Sequence, residues 1–180
     1  SVGYRDSPTT LLLISVSVIV WFITEFSYLI ASANIPNVQY YLRFDLPIKE
    51  QIWRIFTPMF LHFDGFHILF NMMWLYVLGT QIEAELKARR FITLVLVISG
   101  VAHYSQGTWN AFNHEYAMFG GMSGVVYGLF AFLVIKQRFD PKSRYLTTVH
   151  EIALMIAWLL ICATGLVGKI ANVAHFLGLI

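Results

Sequence analysis

Long uncharged stretches alternate with short charged ones along the whole chain. No Asp, Glu, Lys or Arg occurs over 7–24, 26–42, 65–82, 91–114, 116–135, 152–168 or 170–180. Several of these stretches reach the roughly 18–20 residues that cross a hydrocarbon layer about 30 Å thick as a helix. Lipid offers a backbone no hydrogen bonds, so spanning segments of this kind satisfy their own by forming helices. The pattern predicts an all-α multi-pass membrane protein with a single domain over 1–180. Six spans are expected at about 9–32, 64–84, 91–109, 121–137, 148–167 and 170–180. The last covers only eleven residues, about 16 Å of helix, so the sixth span is read as truncated and the chain as a fragment. Ala31-Ser32-Ala33 resembles a signal-peptidase site. The apolar run from Thr9 is longer than a signal core, however, and predicts a retained first span.

Segment 33–63 has a different character. It holds Pro36, Pro47, Pro58, Trp53 and several tyrosines, too polar a mixture to cross and too aromatic for a simple linker. An interfacial loop lying at headgroup level suits it.

Composition sharpens the same picture. Of 180 residues, 58% are hydrophobic and 12% charged, against about 25% charged in an average soluble domain. That excludes a soluble domain and a disordered chain. The lone cysteine, Cys162, allows no intrachain disulfide. A net charge of +2 with no basic run gives no reason to expect a nucleic-acid partner. Orientation follows from the basic residues. With the N-terminus in the cytoplasm, Arg5, Lys87, Arg89, Arg90, Lys136, Arg138, Lys142 and Arg144 lie inside, and only Arg43, Lys49, Arg54 and Lys169 lie outside. The positive-inside rule favours that arrangement.

Polar groups inside spans are expensive and need a partner or a function. His67 and Asn71 share a face of the second span, Ser123 and Tyr127 a face of the fourth, and Asn172 and His175 a face of the sixth. All three pairs fall near the outer ends of their spans under this topology. Gly120, Gly124 and Gly128 give the fourth span a smooth stripe, and Ala171, Ala174 and Gly178 give the sixth another. Such stripes let membrane helices approach closely, as a serine and an imidazole on different helices must to share a proton. The chemistry this suggests is a serine nucleophile, Ser123, with His175 as general base. His67, the Asn71 amide and the Ser123 backbone N–H would serve as oxyanion donors. Gly121 would permit the tight backbone approach. No carboxylate is placed to orient His175, so a dyad fits better than a triad.

These residues resemble the rhomboid intramembrane serine proteases, in particular the bacterial six-span type. The likeness is carried by Gly121-Met122-Ser123-Gly124 with Tyr127, by His67-Ile68-Leu69-Phe70-Asn71, by Trp53-Arg54, and by Asn172 through Gly178. The resemblance implies a six-helix rhomboid-like bundle in which Ser123 is nucleophile, His175 base, and His67 and Asn71 oxyanion donors. Trp53 and Arg54 would support the core from the interfacial loop, and Tyr127 and Asn172 would support the dyad. It further implies cleavage of transmembrane client proteins in a bacterial inner membrane, at a site opening to the outer face, without metal or cofactor. Pro58 departs from the pattern, standing where many bacterial relatives have a histidine.

Blander readings exist for each residue. Ser123 alone could be a small residue at a helix contact, His175 a buried neutral imidazole, and His67 and Asn71 interhelical glue. Glu25 and Glu83 would pair or reach an interface, and His103, His114 and His150 would be structural or surface groups. A hydrolase elbow fails because position 125 is Val. His62 and His67 resemble a metal pair, but they are five apart and no H-E-x-x-H motif exists. A transporter would want repeated halves, and none is visible. Within the same fold, an inactive relative that escorts clients and a sortase-like enzyme that trims surface-protein tails remain the alternatives.

Overall fold

Every element among the described residues is helical. The structure is a computed structural model that describes residues 7–29, 38–115, 118–140, 148–163 and 178. Helix α1 runs Pro8–Leu29, α2 is a short turn at Val38–Leu42, and two 3-10 turns follow at Ile52–Ile55 and Thr57–Phe60. Then come α3 (Gly65–Phe112), α4 (Ser123–Phe139) and α5 (Val149–Ala163). Among the described residues, Pro8–Ser27 and Gly65–Phe112 are long and apolar enough to cross a membrane.

Helix α3 holds two of the expected spans. Lys87, inside it, has φ 68° and ψ 158°, a conformation that no α-helix accommodates. The two limbs fold back on each other there. A Cβ on Gly79 would lie 3.3 Å from Phe91 Cζ, whereas an unbroken helix would separate these residues by about 18 Å. The break falls in the charged run Glu83–Arg90, where the sequence places a cytoplasmic loop.

The core forms where the helical stripes meet. Leu75, Leu78 and Ile82 from the first limb of α3 pack with Phe91 and Val95 from the second. Val125, Leu129 and Leu133, spaced at four-residue intervals on α4, fill the facing side, with Leu13 of α1 and Met155 of α5 closing the cluster. The opposite faces expose Ile19, Phe22 and Phe26 of α1 and Val97 and Val101 of α3. Apolar side chains in such numbers on an outer surface suit lipid contact.

Two ends of the bundle can be told apart. At one, α1 starts beside the close of the first α3 limb, and Lys136 near the end of α4 pairs with Glu85 at 3.8 Å. Glu83 there is buried, and its carboxylate accepts the Thr9 and Thr10 backbone N–H groups at 2.8 and 2.7 Å and the Thr10 hydroxyl at 2.8 Å. It therefore neither pairs with a base nor reaches an interface. It caps α1 from a different helix, satisfying N–H groups that every helix start leaves open and complementing the helix dipole. Glu83→Gln should cost about 1–3 kcal/mol, because an amide NH2 then faces a donor. The check is the unfolding midpoint in detergent, and an unchanged midpoint would remove Glu83 from the list of stabilising groups.

The other end carries the interfacial segment. Arg54 is buried there, with Nε donating to the Gln51 amide, Nη1 to the Arg43 carbonyl at 3.3 Å, and Asp45 at 3.7 Å. Half-exposed Trp53 donates to the Tyr41 carbonyl at 3.2 Å. The segment is thus folded upon itself, and it docks on the second limb of α3. Phe44 lies so close to Gly107 that a Cβ there would stand 2.0 Å from its ring. Gly100 packs on Phe56 in the same way, at 3.2 Å.

Helix α5 starts on a capping box that the sequence carries openly. Glu151 accepts the Thr148 N–H at 2.7 Å, and the Thr148 hydroxyl accepts the Glu151 N–H at 3.2 Å.

Candidate active site

Helix α4 begins at Ser123, not at the expected 121, because the two residues before it shape a bend. Gly121 has φ +108°, a conformation that only glycine adopts without strain. Its N–H donates to the Pro58 carbonyl at 2.8 Å. Gly120 also lies against this segment, where a Cβ would stand 2.8 Å from both Leu61 Cβ and the Pro58 oxygen. The segment 57–61 is therefore a wall against which the chain is bent just before Ser123. Pro58, the departure from the family pattern, contributes through its backbone oxygen, which any residue type would supply.

His67 closes the other side of the bend. Asp64 caps the start of α3 by accepting the His67 N–H at 2.7 Å, which fixes where the imidazole leaves the helix. A Cβ on Gly121 would lie 2.6 Å from His67 Nε2, so the ring rests directly on the glycine two residues before the serine. Phe63 stacks on the same ring with centroids 6.1 Å apart. One turn further along α3, Asn71 is buried and its amide donates to the His67 carbonyl at 2.9 Å. A side-chain amide has two N–H groups, and this bond takes one. Tyr127, one turn into α4 from Ser123, is fully buried in the core.

The structure thus brings Ser123, Gly121, His67 and Asn71 to one end of the bundle. Trp53 and Arg54 lie within the interfacial segment, one turn ahead of the one that carries Pro58. Asn172 and His175 lie outside the described residues. Gly178, three residues after His175, is described and fixes a contact. A Cβ on Gly178 would lie 2.3 Å from the Gly124 carbonyl oxygen, and one on Gly128 would lie 2.8 Å from the Gly178 oxygen. Gly178 therefore lies against the glycine stripe of α4, backbone to backbone.

One site residue escaped the sequence reading. His62 is buried, accepts the Met122 N–H on Nε2 at 3.4 Å and faces the Phe60 carbonyl with Nδ1 at 3.2 Å. Burial, with the neighbouring His67 second, pushes its imidazole down to about 3, so the ring is neutral and keeps a lone pair for Met122. His62 and His67 do lie together, with ring centroids 5.0 Å apart. No group of three or more potential metal ligands exists among the described residues. His103, on the second limb of α3, is a buried structural group whose Nδ1 faces the Ile55 carbonyl of the interfacial segment at 3.1 Å. Nothing in the local sequence marks either arrangement, because the Met122 N–H lies 60 residues from His62 and the Ile55 carbonyl 48 from His103.

Comparisons with known proteins converge on one family. Residues 49–180 match the model of the Rhomboid domain. Relatives described as rhomboid protease GlpG include one from Salmonella choleraesuis, 34% identical, and one from Salmonella paratyphi A, 33% identical, each over 142 residues. The matched region is 76% of this chain and 48% of each relative, so the chain spans about half the length of the curated relatives it matches. A family match over most of the chain, and a charge-free helical pattern consistent with it, lead to one conclusion: the chain belongs to the rhomboid family of integral membrane proteins.

Proposed function

We propose that the protein is an intramembrane serine endopeptidase of six spans, in which Ser123 attacks a peptide bond of a client transmembrane helix and His175 takes its proton. The contact of Gly178 with Gly124 carries this reading. Ser123 adjoins Gly124 in sequence, and His175 stands three residues before Gly178. The sixth span expected from the sequence would then carry the imidazole past the serine. Small residues at that crossing serve the same end, since a side chain there would hold the two helices apart.

The remaining roles follow from the bend at Gly121. Ser123 stands at a helix N-terminus, where backbone N–H groups and the helix dipole favour a developing negative charge. His67 and the second Asn71 N–H add donors from α3. A client helix satisfies its own carbonyls, so it must unwind before attack. The end of the bundle lined by the interfacial segment is the polar region where that can happen, and the basic-residue count places it at the outer face, with the N-terminus in the cytoplasm. The enzyme needs neither metal nor cofactor for these steps. Incubation with a transmembrane substrate should give cleavage that a strong chelator leaves intact and a fluorophosphonate blocks. Loss in the chelator, restored by zinc, would contradict the serine mechanism.

Asn71→Ala separates catalysis from packing. An oxyanion donor acts only once charge develops, so turnover should fall while apparent substrate affinity holds. With other donors left in place, the fall should be about 10²-fold or less. A lowered melting temperature with full activity per folded molecule would make Asn71 a packing residue.

A further inference from the structure

Phe44 ties the interfacial segment to the stretch that leads into Ser123. Its own position is fixed from behind, because the three carbonyls before it are all taken. The Trp53 indole N–H donates to the Tyr41 carbonyl at 3.2 Å, the Thr57 hydroxyl to the Leu42 carbonyl at 2.7 Å, and Arg54 Nη1 to the Arg43 carbonyl at 3.3 Å. In front, the ring enters a notch on the second limb of α3. A Cβ on Gly107 would stand within 2.6 Å of three carbons of that ring, so the notch exists only because position 107 has no side chain. Tyr104, one turn earlier on the same helix face, meets the ring edge-on with centroids 6.3 Å apart. Phe119 lies against the same ring, with centroids 5.7 Å apart at a tilt of 36°. Both separations fall in the range over which aromatic rings attract one another.

We propose that Phe44 is a positioning residue: seated on Gly107, it holds Phe119 and so fixes the near end of the glycine pair that turns the chain into Ser123. The proposal rests on the reading of Ser123 as nucleophile. Gly120 and Gly121 carry no side chains, and Gly121 takes φ +108°, so no rotamer of their own keeps this bend on one course. The side chains that flank the pair do so instead. On the far side, Met122 is fully buried in the core. On the near side, Phe119 rests on Phe44 and on the His103 ring, whose centroid lies 6.1 Å from its own. Without Phe44 the near end of the bend loses a support, and the Ser123 hydroxyl and N–H are no longer held in one placement. An error of about 1 Å in a reacting group can cost on the order of 10²-fold in rate.

The alternative is that Phe44 only packs, adding stability and nothing to the chemistry. Two substitutions in the full-length protein unseat the ring by opposite means: Phe44→Ala removes it, and Gly107→Ala fills its notch. Saturation kinetics of labelling by a fluorophosphonate probe in detergent give a maximal rate and an apparent affinity for each variant, alongside its melting temperature. The maximal rate per folded molecule should fall about tenfold in both, while apparent affinity holds. The double variant should fall no further than either single one, because both act through one contact. Phe44→Leu keeps apolar bulk in the notch without the ring face and should lose about threefold, which carries the test even if Gly107→Ala does not fold. Glu83→Gln, destabilised at the opposite end of the bundle, should keep its full rate per folded molecule. A full rate in any of the ring variants, or a double variant whose loss is the product of the two, would overturn the proposal. An equal loss in Glu83→Gln would overturn it too, since the rate would then follow stability alone. Ser123→Ala in the same assay guards the underlying reading: residual labelling there indicts the serine, while failure of the ring comparison alone indicts Phe44.

Discussion

Ser123→Ala is expected to abolish both cleavage of a transmembrane substrate and labelling by a fluorophosphonate, with the unfolding midpoint close to that of the parent. The reason lies in position and burial. Ser123 opens α4 and is only partly buried, so removing its hydroxyl empties no core volume and leaves the stripe formed by Gly124 and Gly128 intact. The other half of the argument is chemical. Without the nucleophile the oxyanion donors have no charge to stabilise, and what remains is about the residual catalysis seen when a triad member is removed. The two measurements must be read together. A variant that unfolds would lose activity for a trivial reason, whereas a folded variant without labelling assigns the chemistry to this hydroxyl. Undiminished cleavage by folded Ser123→Ala would end the serine mechanism.

Gly178→Val should have the next largest effect. A Cβ at that position would stand 2.3 Å from the Gly124 carbonyl oxygen and 3.2 Å from the Gly124 carbonyl carbon. Both are backbone atoms, which cannot move aside as the end of a flexible side chain can. The final segment must therefore retreat from α4, and overpacking of this kind costs about 1–3 kcal/mol. The catalytic penalty should be larger in proportion. His175 lies on the same segment, and misplacing a catalytic group by about 1 Å can cost on the order of 10²-fold. Turnover per folded molecule should fall by at least that factor, with Gly178→Ala falling less. If Gly178→Val keeps full turnover while losing stability, the crossing at Gly178 does not set the Ser123–His175 distance.

Much of this architecture is written in local chemistry. Charge-free stretches mark α1 and both limbs of α3, and the run Glu83–Arg90 marks the reversal at Lys87. Asp64 and Thr148 announce helix starts in the way that short polar side chains do. The nucleophile bend is legible too, because Gly121 supplies a conformation that other residues avoid. What is not legible is whatever depends on contacts distant in sequence. Glu83 reads as a charge in need of a base, yet its partners are N–H groups at the start of α1, over seventy residues earlier. His62 draws notice only as half of a metal pair that its spacing from His67 rules against, and the Met122 N–H it accepts is 60 residues away. Pattern reading sees residue types and spacing, but a backbone carbonyl or N–H has no residue type. The interfacial segment illustrates the same limit: its aromatic content signals the headgroup region, while its folded turns rest on backbone carbonyls of Leu42, Arg43 and Tyr41.

The most direct test of the central claim is to map the covalent adduct. The full-length protein is reacted with a fluorophosphonate, digested, and the modified residue is identified by mass spectrometry, in parallel with a His175→Ala variant. The account predicts a single stoichiometric adduct on Ser123 in the parent protein and almost none in His175→Ala, since the hydroxyl is inert without its base. An adduct on another residue, or equal modification of Ser123 in the His175→Ala protein, would contradict it.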